Sequence, residues 1–448
     1  MQFQSDGIRD NYRLMKIFFA ICLVFIVVVE SGAAQRRQTR IQPQPQRKAP
    51  AQTATASTPA WLQWGGPNRD FKAAAQGIKD NWPSGSPKQL WSRPLGEGHS
   101  AILVEQGRLY TMYSSGNREV AVSLDAATGE TVWEFPYEAV TSRLDLSYGK
   151  GPHSTPLIVG NLIYTVGAMG TMHALDKNSG RMVWKHDLWA EYGGHFDDRG
   201  YSPSPVAYRN TVIVPVGGKS GQCLMAFDQQ TGNVVWKNIN FTPAPASPMI
   251  INVGGQDQII HFGASEIYGA DAANGNLLWS HPHKTDYGLN ISTPVWDASD
   301  GLLFMSSAYG TGSRALQLTR SGNQTTAKQV WANNRVRIHF GTAMRIGDVV
   351  YGSSGDFGPA FFTAINVKDG KVAWQDRALA RASFLHADNK FVILDEDGAL
   401  AIASPGQSGL QIHARASVMK NLAWTVPTLS GTKLYLRDRR TIVALDLG

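Results

Sequence analysis

Cysteine is nearly absent from this 448-residue chain, which holds only Cys22 and Cys223. A disulfide framework and a zinc site built on cysteine pairs are both excluded. Charge is also scarce, at 17% of residues against 43% hydrophobic, which excludes an intrinsically disordered chain. No apolar run is long enough to cross a bilayer. The longest, Ile17 to Val29, has thirteen residues, or roughly 20 Å of helix against a ~30 Å hydrocarbon core. Glycine and tryptophan, at 45 and 13, are instead abundant. Many turns between short, aromatic-packed strands are the expected result.

The formal charge of +7 is concentrated near the start. Residues 1–34 are balanced, residues 35–60 carry Arg36, Arg37, Arg40, Arg47 and Lys48 without an acid, and +2 remains for the rest. A basic folded face is therefore not expected, and nucleic acid is not an expected partner. Arg13 and Lys16 precede the apolar run and Ser31-Gly-Ala-Ala34 follows it. This order reads as a secretory signal peptide over 1–34, cleaved near Ala34, with an uncleaved membrane anchor as the alternative and Met15 a candidate true start. Cys22 lies inside the run, so lipidation at its end is not expected. Residues 35–60, rich in Gln, Arg, Pro and Thr, read as a flexible tether.

A repeat governs the remainder. Asp125-Ala-Ala-Thr-Gly129-Glu-Thr-Val-Trp133 recurs at Asp176–Trp184, Asp228–Trp236 and Asp271–Trp279, and with Asn first at Asn366–Trp374. In each copy an apolar strand reaches an Asp whose side chain can bond the turn backbone. The glycine supplies a positive φ. The tryptophan brings area to wedge against a neighbouring repeat and an N–H that needs an acceptor. Two more strands precede each motif, such as Thr155–Val159 and Leu162–Ala168 around Gly160-Asn161. Four short strands per repeat of ~40–50 residues is a propeller blade.

Trp91, Trp133, Trp184, Trp236, Trp279, Trp331 and Trp374 mark seven repeats, the Trp331 copy being degenerate. Another unit, Phe391–Leu394, Asp397-Gly398 and Leu410–Ala414, has no tryptophan. The chain ends on Thr441–Asp446, a motif start without its Trp, whereas Trp91 has no motif before it. The two halves fit if the N-terminal strand completes the last blade. The expected fold is an all-β, eight-bladed propeller of four-stranded antiparallel blades over 61–448.

The motif resembles the tryptophan-docking repeat of the PQQ-like propellers, shared by quinoprotein dehydrogenases and BamB-type outer-membrane assembly proteins. Trp64-Gly-Gly-Pro-Asn-Arg-Asp70, Trp82–Trp91 and Leu434-Tyr-Leu-Arg-Asp438 resemble an exported subgroup of such propellers. For the quinoproteins the resemblance implies adjacent cysteines, a calcium-binding carboxylate and an Asp base. This chain has no Cys-Cys pair, and Cys223 reads as a core residue of an apolar strand.

In a propeller the ligand site sits at the channel mouth, where the innermost strands begin. Ser154-Thr155-Pro156, Ser204-Pro205, Ser247-Pro248 and Ser292-Thr293-Pro294 mark several such starts. His99, Lys150, His153, Tyr201, Asn290, His339, Arg381 and Trp424 are the expected mouth residues, around either a small-ligand site or a water-filled channel. Asp145, Glu191, Asp197, Asp198 and Asp286 lie in nearby loops, without the spacing of a calcium site. Gly217-Gly-Lys-Ser-Gly221 lacks the upstream glycine of a phosphate loop, and His281-Pro-His283 lacks a third metal ligand. Asp395-Glu-Asp-Gly398 fits a strand turn better than a calcium loop.

The expectation is an exported, monomeric, non-catalytic scaffold, periplasmic or extracellular, holding an envelope protein or small ligand at one face. The alternative is a PQQ- and calcium-dependent alcohol or sugar dehydrogenase with an atypical site.

Overall fold

A computed structural model describes residues 60–448, except Asp197. The expected signal peptide and, apart from Ala60, the expected tether lie outside the described residues. Among the described residues are 32 strands and one short helix, Leu188–Tyr192. The strands form eight separate four-stranded sheets, each antiparallel throughout, the blades of a propeller. The innermost strands of blades 1 to 4 are Leu103–Glu105, Leu157–Val159, Val206–Tyr208 and Met249–Val253. Those of blades 5 to 8 are Val295–Asp297, Ile338–Ile346, Ala382–Ala387 and Thr428–Ser430. The Ser/Thr-Pro signals stand directly before four of these starts, as expected.

Blades pack face to face, so their middle strands are covered on both sides. Leu162–Val166 and Thr211–Pro215 are accordingly buried at every position and read as continuous apolar runs. The outermost strands face solvent on alternate residues, as Leu410–Ser417 does.

Docking between blades follows from the repeat. Asp176 Oδ1 accepts from Ser179 N at 2.9 Å and Ser179 Oγ at 2.7 Å, closing the turn. This leaves Gly180 at φ +72°, flat against the Trp133 ring of the preceding blade. Trp133 Nε1 donates to Lys177 O at 2.9 Å. The same bond, always to the residue after the turn Asp or Asn, joins Trp91 to Ala126, Trp184 to Gln229 and Trp331 to Val367. Trp236 seats on Gly275, although its Nε1 finds no partner. Trp279 faces the degenerate repeat and turns its N–H onto Gln258 Oε1 of its own blade instead.

One irregularity recurs in all eight blades. The register between the third and outermost strands slips by one residue just before the docking position, as between Ser123↔Trp133 and Leu124↔Thr131. The extra residue bulges outward, which is why Val132, Val183, Val235 and Val330 are 42–50% exposed despite being apolar. Blade 7 keeps the bulge and places Ala414 in the tryptophan register.

The ring closes as expected. Lys88–Pro94 pairs antiparallel with Thr441–Asp446, from Lys88↔Asp446 to Pro94↔Thr441, as the outer strand of blade 8. Arg437, wholly buried, carries the closure inward by donating to Met112 O at 2.7 Å and to Ser100 O and Thr111 Oγ1 at 3.2 Å in blade 1.

The segment before Lys88 departs from a simple propeller reading. It crosses the axis rather than starting a blade. Trp61 bridges Val104 of blade 1, Leu62 O accepts from Ile158 of blade 2, and Arg69 donates to Pro205 O of blade 3 at 2.9 Å. Trp64 Nε1 donates to Thr293 Oγ1 ahead of the blade 5 inner strand at 2.9 Å, while Lys72 bridges His386 of blade 7. The bonds to Val104, Ile158 and His386 satisfy backbone groups on the free edges of inner strands. The expected water-filled channel is therefore corrected: residues 61–73 plug it.

Candidate functional site

The plug turns the channel into a blind funnel. Its cavity of about 280 Å³ has Trp64 among its lining residues, and all eight blades contribute to its wall. Trp64 is set by a tight loop. Gly65 and Gly66 have φ of +75° and +80°, and a Cβ on Gly65 would lie 2.8 Å from Arg69 Cα. Beneath, the Arg69 guanidinium bonds Gln63 Oε1 and the Ser204 and Pro205 carbonyls. Burial lowers its pKa to about 9, so it remains a cation at neutral pH.

Five of the eight expected mouth residues line this cavity: His99, His153, His339, Arg381 and Trp424. The other three do not. Tyr201 is fully buried behind the wall against Phe196, their ring centroids 4.6 Å apart. Asn290 is also fully buried, tying Gly263 O, His283 O and Ser307 Oγ together. Lys150 reaches away to Gly116 O at 3.3 Å. Both Tyr201 and Asn290 precede an inner strand by several residues, where the chain is still passing through the blade interface.

The wall contains a run of ring contacts. His153 stacks on His99 at 5.5 Å and His99 on Trp424 at 5.5 Å. Trp424 meets Phe340 at 4.4 Å, Phe340 meets His339 at 5.0 Å, and His339 meets Tyr309 at 4.8 Å. Tyr148 packs on Trp424 at 5.4 Å and Phe357 on Tyr309 at 5.3 Å. Tyr148 and Phe357 are 50% and 79% exposed, forming an aromatic rim. Sequence reasoning missed Tyr148, Tyr309, Asp356 and Phe357. Tyr309 sits on a loop within blade 5 and Asp356 and Phe357 on a loop within blade 6, whereas Ser/Thr-Pro signals mark only the segments that enter an inner strand.

Charge in the wall is largely balanced internally. Asp145 pairs with Arg199 at 3.3 Å, Asp356 with Arg337 at 3.0 Å, and Arg381 with Glu396 at 3.6 Å. The histidines are held neutral. Burial pushes the His99 pKa down to about 3, helped by neighbouring His153, and burial lowers His153 and His339 to about 4. The funnel thus presents ring faces, neutral imidazoles and the hydroxyls of Ser202, Ser204 and Ser247.

This donor set does not fit a calcium-bound quinone. Calcium takes six to eight oxygens, yet among the described residues no three His, Cys, Asp or Glu side chains converge as metal ligands. Asp145 and Asp356 are each engaged by an arginine. Cys223 is buried in blade 3, where burial raises its thiol to about 12. His281 and His283 diverge onto Gln329 and Ser307, and Asp395 caps the turn to Ala399. After Gly217–Gly221 the chain enters a strand, Leu224–Asp228, rather than a helix.

Comparison with known proteins agrees with this architecture. Residues 116–376 match the PQQ-type family model described as outer membrane protein assembly factor BamB. The quinone alcohol dehydrogenase subunit of Komagataeibacter europaeus is 29% identical over 213 residues, 42% of this chain and 26% of that protein. The assembly factor BamB of Kangiella koreensis is 25% identical over 218 residues, 48% of this chain and 49% of that one. The chain thus matches about a quarter to a half of the length of these relatives. The crystal structure of BamB from Moraxella catarrhalis superposes with a TM-score of 0.57 at 19% identity, over 80% of this chain and 98% of that chain. Quinohemoprotein alcohol dehydrogenase from Comamonas testosteroni gives 0.59 at 13% identity, over 87% and 81%. The repeat, the eight blades and the match over most of the ring place the chain in the PQQ-type, BamB-like propeller family.

Proposed function

We propose that this chain is a non-catalytic binding propeller of the cell envelope, exported by residues 1–34 and acting through its axial funnel. The observation that carries the reading is the blind funnel itself, a preformed concave site on which eight blades and Trp64 converge. Its ionised groups are engaged with one another, which leaves no free carboxylate pair for acid–base chemistry. Export is supported by the thirteen-residue apolar run and its small-residue end. Among the described residues no helix is long and apolar enough to cross a membrane.

A quinone-dependent dehydrogenase is the competing reading, favoured by the similarity to the quinone alcohol dehydrogenase subunits. Calorimetric titration of the intact protein with PQQ and calcium separates the two. The binding-propeller reading expects no calcium-dependent, stoichiometric uptake. One-to-one uptake requiring both components would overturn it.

A further inference from the structure

We propose that a second site, a cleft between blades 6 and 7, binds a tetrahedral oxyanion of the phosphate-monoester kind. This goes beyond the reading of the funnel and does not depend on it. The cleft measures about 410 Å³ and opens beside the funnel, with Arg381 common to both walls. One side is Arg377-Ala-Leu-Ala-Arg381, the link from the outer strand of blade 6 to the inner strand of blade 7. Gly358-Pro-Ala360 of blade 6, with Glu396 and Arg415 of blade 7, completes it.

Charge is the first support. Three guanidinia, from Arg377, Arg381 and Arg415, line the cleft against one carboxylate, Glu396. That carboxylate is already engaged, accepting from Trp424 Nε1 at 2.9 Å and lying 3.6 Å from Arg381 Nη1. Asp376 and Asp395 do not line the cleft. Asp376 accepts from the backbone of Ala378 and Leu410, and Asp395 from that of Ala380 and Ala399. The chain from Trp61 onward carries only +2, so this is a local concentration of cations. Like charges gathered in one cleft repel, and an anion between them relieves the repulsion.

The second support is the set of donors left over. An arginine carries five N–H groups. The Arg377 guanidinium lies over the Phe361 ring, its carbon 4.4 Å from the centroid, and no acceptor among the described residues takes its N–H groups. Arg381 Nε is buried without a partner. Arg415 spends Nη1 on Ala378 O at 2.8 Å, while its Nη2 comes only to 3.6 Å from Asp395, beyond a hydrogen bond. Ala378, Leu379 and Ala380 between the arginines bring no polar side chain to compete for these donors.

Geometry selects the anion. Forked guanidinia suit oxyanions in general. Donors from three side chains on two blades match the four oxygens of a phosphate better than the two coplanar oxygens of a carboxylate. A phosphate monoester also brings a charge of about −2 at neutral pH. Free phosphate and the monoester headgroup of an anionic lipid share this chemistry.

The test titrates the intact protein with inorganic phosphate by calorimetry, at an ionic strength held constant with chloride. Saturable one-to-one binding is expected. Arg377→Gln and Arg415→Gln should each weaken it about tenfold or more at an unchanged melting temperature. Arg181→Gln, at the blade 2 turn, should leave it unaltered, and acetate should bind at least about fivefold more weakly. Phosphatidylcholine vesicles containing phosphatidic acid separate the two sources. Co-sedimentation that phosphate reverses and Arg377→Gln abolishes identifies a headgroup, whereas uptake of free phosphate alone identifies a soluble monoester. Absence of saturable phosphate uptake, an equal loss in Arg181→Gln, or acetate bound as tightly would each overturn the proposal and leave the funnel reading standing.

Discussion

Trp133 lies on Gly180: a Cβ added to that glycine would stand 2.7 Å from the indole. The contact joins blade 1 to blade 2, and its counterparts join Trp91 to Gly129, Trp184 to Gly232, Trp236 to Gly275 and Trp331 to Gly370. Gly180→Ala should therefore cost about 2–4 kcal/mol, from positive-φ strain plus overpacking of the ring. Gly160→Ala is the control, since its φ is +58° but nothing lies within 4 Å of the added Cβ. That change should cost only about 1 kcal/mol. Equal losses in urea unfolding of the two variants would show that the indole contact contributes nothing.

The turn aspartates predict a loss of stability in acid. Hydrogen bonds from the turn hold Asp125, Asp176 and Asp228 below the usual carboxylate range, the Thr128 and Thr231 backbones and the Ser179 side chain contributing most. Their stabilisation is present above the unfolded pKa near 4 and is lost as pH falls through the lower folded value. In the Asn366 repeat Oδ1 accepts Lys368 N at 2.8 Å without a titratable group. Asp176→Asn should accordingly keep most of its stability at pH 7 and show a shallower decline below pH 4. An unchanged acid limb in melting curves would contradict this.

The histidines act in a higher window. The folded pKa values of His99 and His153 fall to about 3 and 4, below an unfolded value near 6.5. The unfolded chain binds protons first, so stability falls as pH drops from about 6.5 toward 4. Replacing both with Gln should make that part of the profile shallower, with the remaining slope left to buried His173, His261, His283 and His339, whose pKa values burial also lowers. A double variant with the wild-type slope between 6.5 and 4 would contradict neutral, buried imidazoles.

The floor of the funnel is testable through Arg69. Arg69→Met removes three hydrogen bonds beneath the Trp64 loop and leaves the Ser204 and Pro205 carbonyls unpaired. About 2–4 kcal/mol of destabilisation is expected. Hydrogen exchange should rise at Leu62–Phe71 and at the inner strand ends they cover. Protection identical to the wild type would show that the plug is held without the guanidinium.

Much of this architecture is legible in the amino-acid sequence. Periodic Asp, Gly and Trp residues fix the blade count, the turns and the docking partners, because these contacts repeat with the same chemistry. Trp91 without a motif and Asp446 without its Trp reveal the closing strand. The plug is not legible, because Trp61 to Ala73 belongs to no repeat and its partners lie 43 to 315 residues away, from Val104 to His386. The mouth is legible only where residues adjoin a Ser/Thr-Pro strand start or its equivalent. Tyr201 and Asn290 show that a place before a strand does not decide whether a side chain faces the cavity or the blade interface.

The central claim is that the funnel binds without oxidising. Its most direct test is a dye-linked oxidation assay of the intact protein with PQQ and calcium supplied, using primary alcohols and aldoses as substrates. The account predicts dye reduction no faster than in the protein-free blank. Turnover that requires both PQQ and calcium, and is abolished by Trp424→Ala, would contradict it.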